Sequence, residues 1–480
     1  MPTALAPPCD ESIAKPDKVT PCVNETGTLV ATILASSLAF VEGSIVNIAL
    51  PSMLNDLGVG ATGAQWIINS YLLPVGALVL MGGALGDHYG RKLIFQVGLF
   101  LFAVGSLACA LAPEISTLLV ARIVQGIGAA LLAPNSLAII AAAFKGAARG
   151  RAIGIWAAAG AFAGAAAPIL GGWIVDVADW RWAFLIVVPG AAAAIAIGQW
   201  AISESCETSD AAAPLDWSGA ALVTLALAMI VWALVRLPEA GISDVLVAGP
   251  LGVGVLCFVA FIGVEKRLGD RAMMPLQLFG TPDFSAISVL TLFLYGALGG
   301  LLVLLPYTLI TGFGFTAIET GLAMLPMPLI LGFLSPVLGG LAGRLGVRLV
   351  LTVGPLLVAV GFFWLSFVPA DVFSYWTDML PPLVIMAVGT AASVAPLTTA
   401  VMDAVPGDFA GVASGVNNAV ARSAGLIATA LIGPVLAAGD AGLASLVEGF
   451  GTAMFVAALF AAAGGGVAAV FVRIEADASD

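Results

Sequence analysis

The chain has 480 residues, 61% of them hydrophobic and 10% charged, with a formal net charge of −12. An ordinary soluble chain carries about 25% charged residues, and no soluble core hides this much apolar side chain, so the composition excludes a soluble protein and points to a polytopic membrane protein. The acids responsible for the negative balance are scattered through loops and tails, and no basic stripe or nucleic-acid module is present.

Residues 1–27 are polar, with Lys15 and Lys18 among acids and prolines, and no A-x-A cleavage site follows. The first apolar run is long enough to span, so it is read as a retained helix behind a cytoplasmic tail. Runs of about 20 apolar residues mark fourteen spans. The first six lie near 28–50, 64–86, 93–112, 117–144, 152–174 and 183–202. Two more lie near 217–235 and 245–264, and the last six near 284–311, 319–342, 349–369, 380–402, 411–437 and 449–472. With the N-terminus inside, thirteen of the seventeen Lys and Arg residues fall in internal loops or tails, which is the positive-inside pattern. The expectation is a multi-pass cell-membrane protein with fourteen spans and both ends cytoplasmic.

Span 1 contains FVEGSIVNIALP, with Glu42 eight residues before Leu50 at the outer end of the span, roughly 12 Å below that end. A carboxylate at that depth is expensive unless it is protonated, paired or hydrated, which suits a group that takes and releases protons. A polar residue satisfied by Ser44 or by backbone is the alternative. Between spans 2 and 3 lies a charged turn, GALGDHYGRK, from Gly83 to Lys92. Gly90 can adopt the positive φ of a tight turn, while Asp87 is placed to cap a neighbouring helix N-terminus and to pair with Arg91 or a basic group on another span. A related turn, GGLAGRLGVR, begins 256 residues downstream at Gly339, with Gly343 where Asp87 stands in the first. The same offset separates the span starts at 28 and 284, so the chain reads as two related halves.

Span 4 contains ARIVQGIGAALLAPNS, which places Arg122 about 8 Å deep, near the depth of Glu42, as a candidate ion-pair partner. An arginine snorkelling to the headgroups is the alternative. Gln125, nearly one turn deeper, can hydrogen-bond the pair or a ligand. Span 5 contains GAFAGAAAPILGGW. Gly160 and Gly164 have the spacing that permits close helix approach, Pro168 can kink the outer half, and Gly171 and Gly172 follow. In span 13, Arg422 lies about 17 Å deep, as a counter-charge for substrate or a structural cation. Asn417, Tyr295 and Tyr71 also fall inside spans and either line a polar cavity or bond a neighbouring helix.

These stretches carry a resemblance. The turn Gly83–Asp87–Gly90–Arg91–Lys92 is similar to the loop signature of the major facilitator superfamily, and RIVQGIGAA to its fourth-span signature, in which the arginine is implicated in proton coupling. The span 5 glycines and Pro168 resemble the antiporter signature, with Ala167 where a glycine is usual. VNIALP resembles the span 1 signature of the fourteen-span drug:proton antiporters, where aspartate is usual at the position of Glu42. WRWAF (180–184), GLAMLP (321–326), APLTTAVMDAV (395–405) and GVASGVNNAVARSAG (411–425) continue the match. Val187 replaces an asparagine common after the WRW segment.

The resemblance implies an all-α membrane protein of the major facilitator fold. Its domains are a tail (1–27), a six-helix bundle (28–202), a linker with an extra two-helix hairpin (203–283), a second six-helix bundle (284–472) and a tail (473–480). It implies a proton-coupled exporter of small molecules, with multidrug efflux as the class, working by alternating access without a cofactor. Glu42 and Arg122 couple protons, and the Asp87–Arg91 turn latches the inner bundle ends. The partners are a small-molecule substrate, protons and the lipid bilayer, with no nucleic acid; the sequence leaves the oligomeric state open and is compatible with a monomer. A nutrient uptake or exchange transporter and a non-transporting membrane sensor are the alternatives. A membrane enzyme is opposed by the single histidine, His88 in the exposed turn, and by the lack of nucleophile–base or metal spacing, the five cysteines being unpaired thiols.

Overall fold

The computed structural model describes residues 24–205, 215–269, 272–406 and 409–473. Lys15, Lys18, Glu207, Asp210, Arg271, Cys9, Cys22, Cys206 and nearly all of both tails lie outside the described residues. Among the described residues fourteen helices are long and apolar enough to cross a membrane, as the run count predicts. They are α1 Glu25–Leu57, α2 Ala61–Tyr89, α3 Arg91–Ala110, α4 Ile115–Ala143, α5 Ala148–Val177, α6 Arg181–Ala201, α7 Trp217–Ala240, α8 Val245–Leu268, α9 Pro282–Gly312, α10 Ala317–Gly343, α11 Val347–Leu365, α12 Tyr375–Asp403, α13 Ala410–Asp440 and α14 Leu443–Phe471.

Most helices outrun their apolar stretches because caps, and not the last apolar residue, set the ends. Asn24 accepts from the Gly27 amide and starts α1. The helix then runs through Pro51 to Gly58, whose φ of 63° closes it. Asp216 caps α7 and Asp244 caps α8, and Thr316 with Glu319 forms a reciprocal capping box on α10.

The packing repeats with a period of eight helices. In the first half α1 packs on α5 and α6, α2 on α4, and α3 on α4 and α6. In the second half α9 packs on α13 and α14, α10 on α12, and α11 on α12 and α14. The two main contacts between halves, α2 on α13 and α5 on α10, exchange with each other under the same shift. This is a pseudo-twofold arrangement of two six-helix bundles. The two turns match as well: Gly90 has φ 111° and Gly346 has φ 88°, so both hairpins use a left-handed glycine.

The end of the molecule that carries the termini is called proximal here and the other end distal. At the distal end the halves are sealed. The Gln65 side chain donates to the Ala430 carbonyl at 2.7 Å and Thr429 to the Asn69 side-chain oxygen at 2.6 Å. The Asp176 carboxylate accepts from the Ala317 and Ile318 amides at 3.1 and 2.8 Å, capping α10 from the other half. Toward the proximal end α5 and α10 separate. A methyl added at Gly172 would lie 2.6 Å from the Ile318 Cα and one at Gly321 3.0 Å from the Ile169 Cα, yet one at Gly332 only reaches Ala161 at 4.0 Å. The seam between the halves therefore opens on the α5/α10 side toward the termini.

The extra hairpin is docked rather than free in lipid. Helix α7 packs on α8 and across α2 and α13, where Leu227, Val231 and Val235 meet Ala77, Leu426 and Ala430. Trp232 lies 5.6 Å from the Trp66 ring, and Glu239 accepts from Thr62.

Candidate functional site

Glu42 and Arg122 meet. They form an ion pair between α1 and α4 in which the glutamate is fully buried and the arginine 2% exposed. The arginine also donates to the Gln125 side-chain oxygen at 2.8 Å and to the Ile67 carbonyl at 3.2 Å. Its guanidinium carbon stands 4.4 Å from the centre of the Tyr71 ring and 5.8 Å from that of Phe184, within cation–π range. Gln125 passes the network on by donating to Ser106, which donates to the Phe102 carbonyl, both at 2.8 Å. One carboxylate thus ties α1, α2, α3, α4 and α6 together. The second Glu42 oxygen has no partner among the described residues. Protonating Glu42 removes the charge that holds Arg122, and the helices tied through Arg122 feel the change.

The snorkelling alternative for Arg122 is not what the geometry gives, since burial leaves it no route to the headgroups. Gln125 is wholly buried and belongs to the ion-pair network rather than to an open surface. Tyr71, 6% exposed, forms the floor under Arg122. Val187 is buried against Tyr71, Val75, Phe102 and Ala129, an apolar setting that would leave an asparagine's amide unpaired.

Arg422 projects from the middle of α13. Among the described residues it has no ion pair or hydrogen bond, and its Nε is buried without an acceptor. It is close enough to the Tyr71 and Tyr295 phenols to act on both electrostatically. Asn417 faces α9, where its side-chain oxygen accepts from Thr291 at 2.7 Å, so it bonds a neighbouring helix.

At the charged turn, Arg91 donates to Asp87 at 2.8 Å, a pair within one helical step. The expectation that Asp87 caps a neighbouring helix is corrected. Glu204, 112 residues away, does so by accepting from the Lys92 and Leu93 amides at 2.9 and 3.1 Å, since its position past the end of α6 brings it directly over the first turn of α3. Lys92 donates to the Gln199 carbonyl at 2.9 Å. Gly83 packs beside Pro134, and Gly90 leaves just enough room for the Glu204 carboxylate, since an added methyl would lie 2.6 Å from its carbon.

In α5 the expected close approach is displaced. Gly164 meets nothing within 4 Å and Gly160 meets only the Phe40 ring at 3.3 Å, because both lie on the part of α5 that diverges from α10. The close contacts fall at Pro168, Gly171 and Gly172. Gly171 would put a methyl 2.9 Å from Ile45, while Pro168 and Gly172 meet the α10 backbone. Ala167 is fully buried with Ile45 and Ala183, so its methyl is accommodated.

Sequence reasoning missed Asp176, Glu204, Ser106 and the Gln65–Asn69–Thr429 contact. The polar residues inside α2 and α13 were the available signal for the last; the two acids sit at helix ends with nothing local to mark them.

A family model described as Major Facilitator Superfamily matches residues 32–430. The chain belongs to the major facilitator superfamily. It is 34% identical over 412 residues to the multidrug resistance protein Stp of Mycobacterium tuberculosis, covering 86% of this chain and 76% of that one. It is 31% identical over 415 residues to the tetracenomycin C resistance and export protein of Streptomyces glaucescens, covering 85% and 76%. The fold matches a POT family transporter crystallised with a thioalcohol-conjugated peptide, with a TM-score of 0.68 and 17% identity over 90% of this chain and 94% of that one. The protein is a membrane transporter related to fourteen-span drug efflux proteins, in a family of transporters and not of enzymes.

Proposed function

We propose that this transporter exports small molecules, drugs among them, in exchange for protons, with both termini in the cytoplasm. The observation that carries the reading is the buried Glu42–Arg122 pair with one glutamate oxygen left without a partner. A carboxylate held in this way is stable when charged against Arg122, and releases Arg122 when a proton neutralises it. Its links to α2, α3 and α6 give that event mechanical reach. The names of the two relatives, a multidrug resistance protein and a resistance and export protein, support efflux as the direction.

In this reading the two bundles, 28–202 and 284–472, rock about a site between them, and α7, within the 203–283 segment that separates them, braces α2 against α13. The state described is sealed distally by Gln65, Asn69 and Asp176 and parted proximally between α5 and α10. With the termini in the cytoplasm, that is the state that loads cargo from inside. Tyr71, Tyr295, Asn417 and Arg422 line or border the path, while Gln125 relays the ion pair. The turn from Gly83 to Lys92 sets the α2–α3 corner that must move when the proximal side closes.

Everted membrane vesicles energised by respiration test the reading. Vesicles holding the protein should accumulate tetracenomycin C or another drug of an antibiotic panel, and a protonophore, which collapses both the pH difference and the membrane potential, should abolish it. Accumulation that survives the protonophore would remove proton exchange from the account.

A further inference from the structure

The middle of the molecule carries an imbalance of charge. Among the described residues, the charged side chains well inside the spans of the two bundles are Glu42, Arg122 and Arg422. The acids Asp56, Asp176, Glu319, Asp378 and Asp440 sit near the distal helix ends, and Glu25, Asp87, Asp283 and Asp403 near the proximal ones. Glu42 is already committed to Arg122. Arg422 is therefore a surplus cation, twelve residues into α13 from Ala410, about 18 Å along the helix.

Its surroundings do not compensate it. No carboxylate, amide oxygen or carbonyl accepts from it among the described residues. Its backbone packs against α2, with a methyl at Gly76 placed 3.8 Å from its Cβ, and its neighbours in charge terms are the phenols of Tyr71 and Tyr295. Arg236 is the other described arginine with a buried Nε lacking an acceptor. It sits four residues from the distal end of α7, beside Trp232, where its long stem reaches the headgroups. Arg422, mid-helix, has no such exit. An unpaired cation at membrane depth is costly and persists where it faces water or a ligand, and Arg422 is only partly buried.

We propose that Arg422 is the anchor of the cargo site and that the cargo carries an anionic oxygen group, a carboxylate or an acidic phenol, on an apolar body. The guanidinium offers a planar fork matched to two oxygens, and the partly buried Tyr295 of α9 lies near it. This deepens the exporter reading and rests on it for the seam's being the cargo path. A bound anion draws a proton toward Glu42 rather than repelling it. Exchange in one cycle then depends on which loaded forms change conformation, and not on direct competition for charge.

Binding alone tests the proposal, without any gradient, so its outcome stands apart from whether transport is proton-driven. The purified full chain in detergent is titrated with three probes of one shape, 2-naphthoate, 2-naphthylmethanol and 2-naphthylmethylammonium, and the melting temperature is followed. The wild type should be stabilised by 2-naphthoate and not by the ammonium. Arg422→Gln should lose about tenfold or more in 2-naphthoate affinity, the scale of one charge-assisted hydrogen bond, and Arg422→Lys should retain part of it. The wild-type comparison keeps the test valid if either variant folds poorly. No shift with 2-naphthoate at millimolar concentration, an equal shift with the ammonium, or an unchanged affinity in Arg422→Gln would overturn the proposal.

Discussion

Arg122→Met separates a buried functional ion pair from a surface contact. In the wild type the guanidinium satisfies Glu42, the Gln125 side-chain oxygen and the Ile67 carbonyl, and covers the Tyr71 ring. Replacing it by an apolar side chain of similar length strands a fully buried carboxylate. Breaking a buried pair from one side costs about 3–5 kcal/mol. Glu42→Gln is milder, since the amide oxygen still accepts from Arg122 and only the charge assistance is lost, about 1–2 kcal/mol. The double variant Glu42→Leu/Arg122→Met removes both charges and is expected to cost less than Arg122→Met alone, because neither ion remains to be desolvated. Reversible unfolding in mixed micelles with increasing dodecyl sulfate reads these differences. If the double variant is destabilised by the sum of its single changes, Glu42 and Arg122 act independently and the coupling of α1 to α4 through them is refuted.

Three further expectations follow from the packing. Gly172→Leu should force α5 from the Ala317–Ile318 backbone, so a cysteine at Asn69 should label faster with a water-borne thiol reagent from the distal side; unchanged labelling would mean the glycine is not part of the seal. Gly90→Ala should lower the melting temperature more than Gly346→Ala, because φ is left-handed at both but only Gly90 also faces a carboxylate, that of Glu204, with no space for a methyl; equal losses would discount the Glu204 cap. Thr224→Cys on α7 should label poorly from either side, since the threonine bonds its own helix at the Ala220 carbonyl and the hairpin braces the seam from outside; strong labelling blocked by cargo would put the hairpin in the path.

The residues legible in the sequence were those that violate the rule of the membrane. Glu42, Arg122 and Arg422 stand out because a charge inside an apolar run has a cost that some partner or function must offset, and the similar depths of Glu42 and Arg122 along helices of opposite direction anticipated their contact. The fourteen helices and the repeat were legible for a related reason, since hydrocarbon thickness fixes run length. What stayed hidden depends on long-range approach. Glu204 reaches the start of α3 and Asp176 the start of α10, 141 residues downstream, and neither acid differs locally from any other at a helix end. The close α5–α10 contact falls at Gly172 and not at the Gly160–Gly164 pair because the tilt between the halves decides which turn of a small-residue face is used. The turn illustrates a limit of magnitude. Asp87 spends its carboxylate on Arg91 with its side chain 43% exposed, a pair worth about 0–1 kcal/mol, so any latch there needs contacts of the closed proximal state.

Proton movement by purified protein in sealed liposomes tests the central claim most directly. With a pH-sensitive dye trapped inside and an exported drug added outside, the wild type should move protons in the direction opposite to the drug, and only when the drug is present. Glu42→Gln should show no drug-dependent proton movement while still exchanging labelled for unlabelled drug across the membrane. Drug-dependent proton movement of wild-type size in Glu42→Gln would contradict the account.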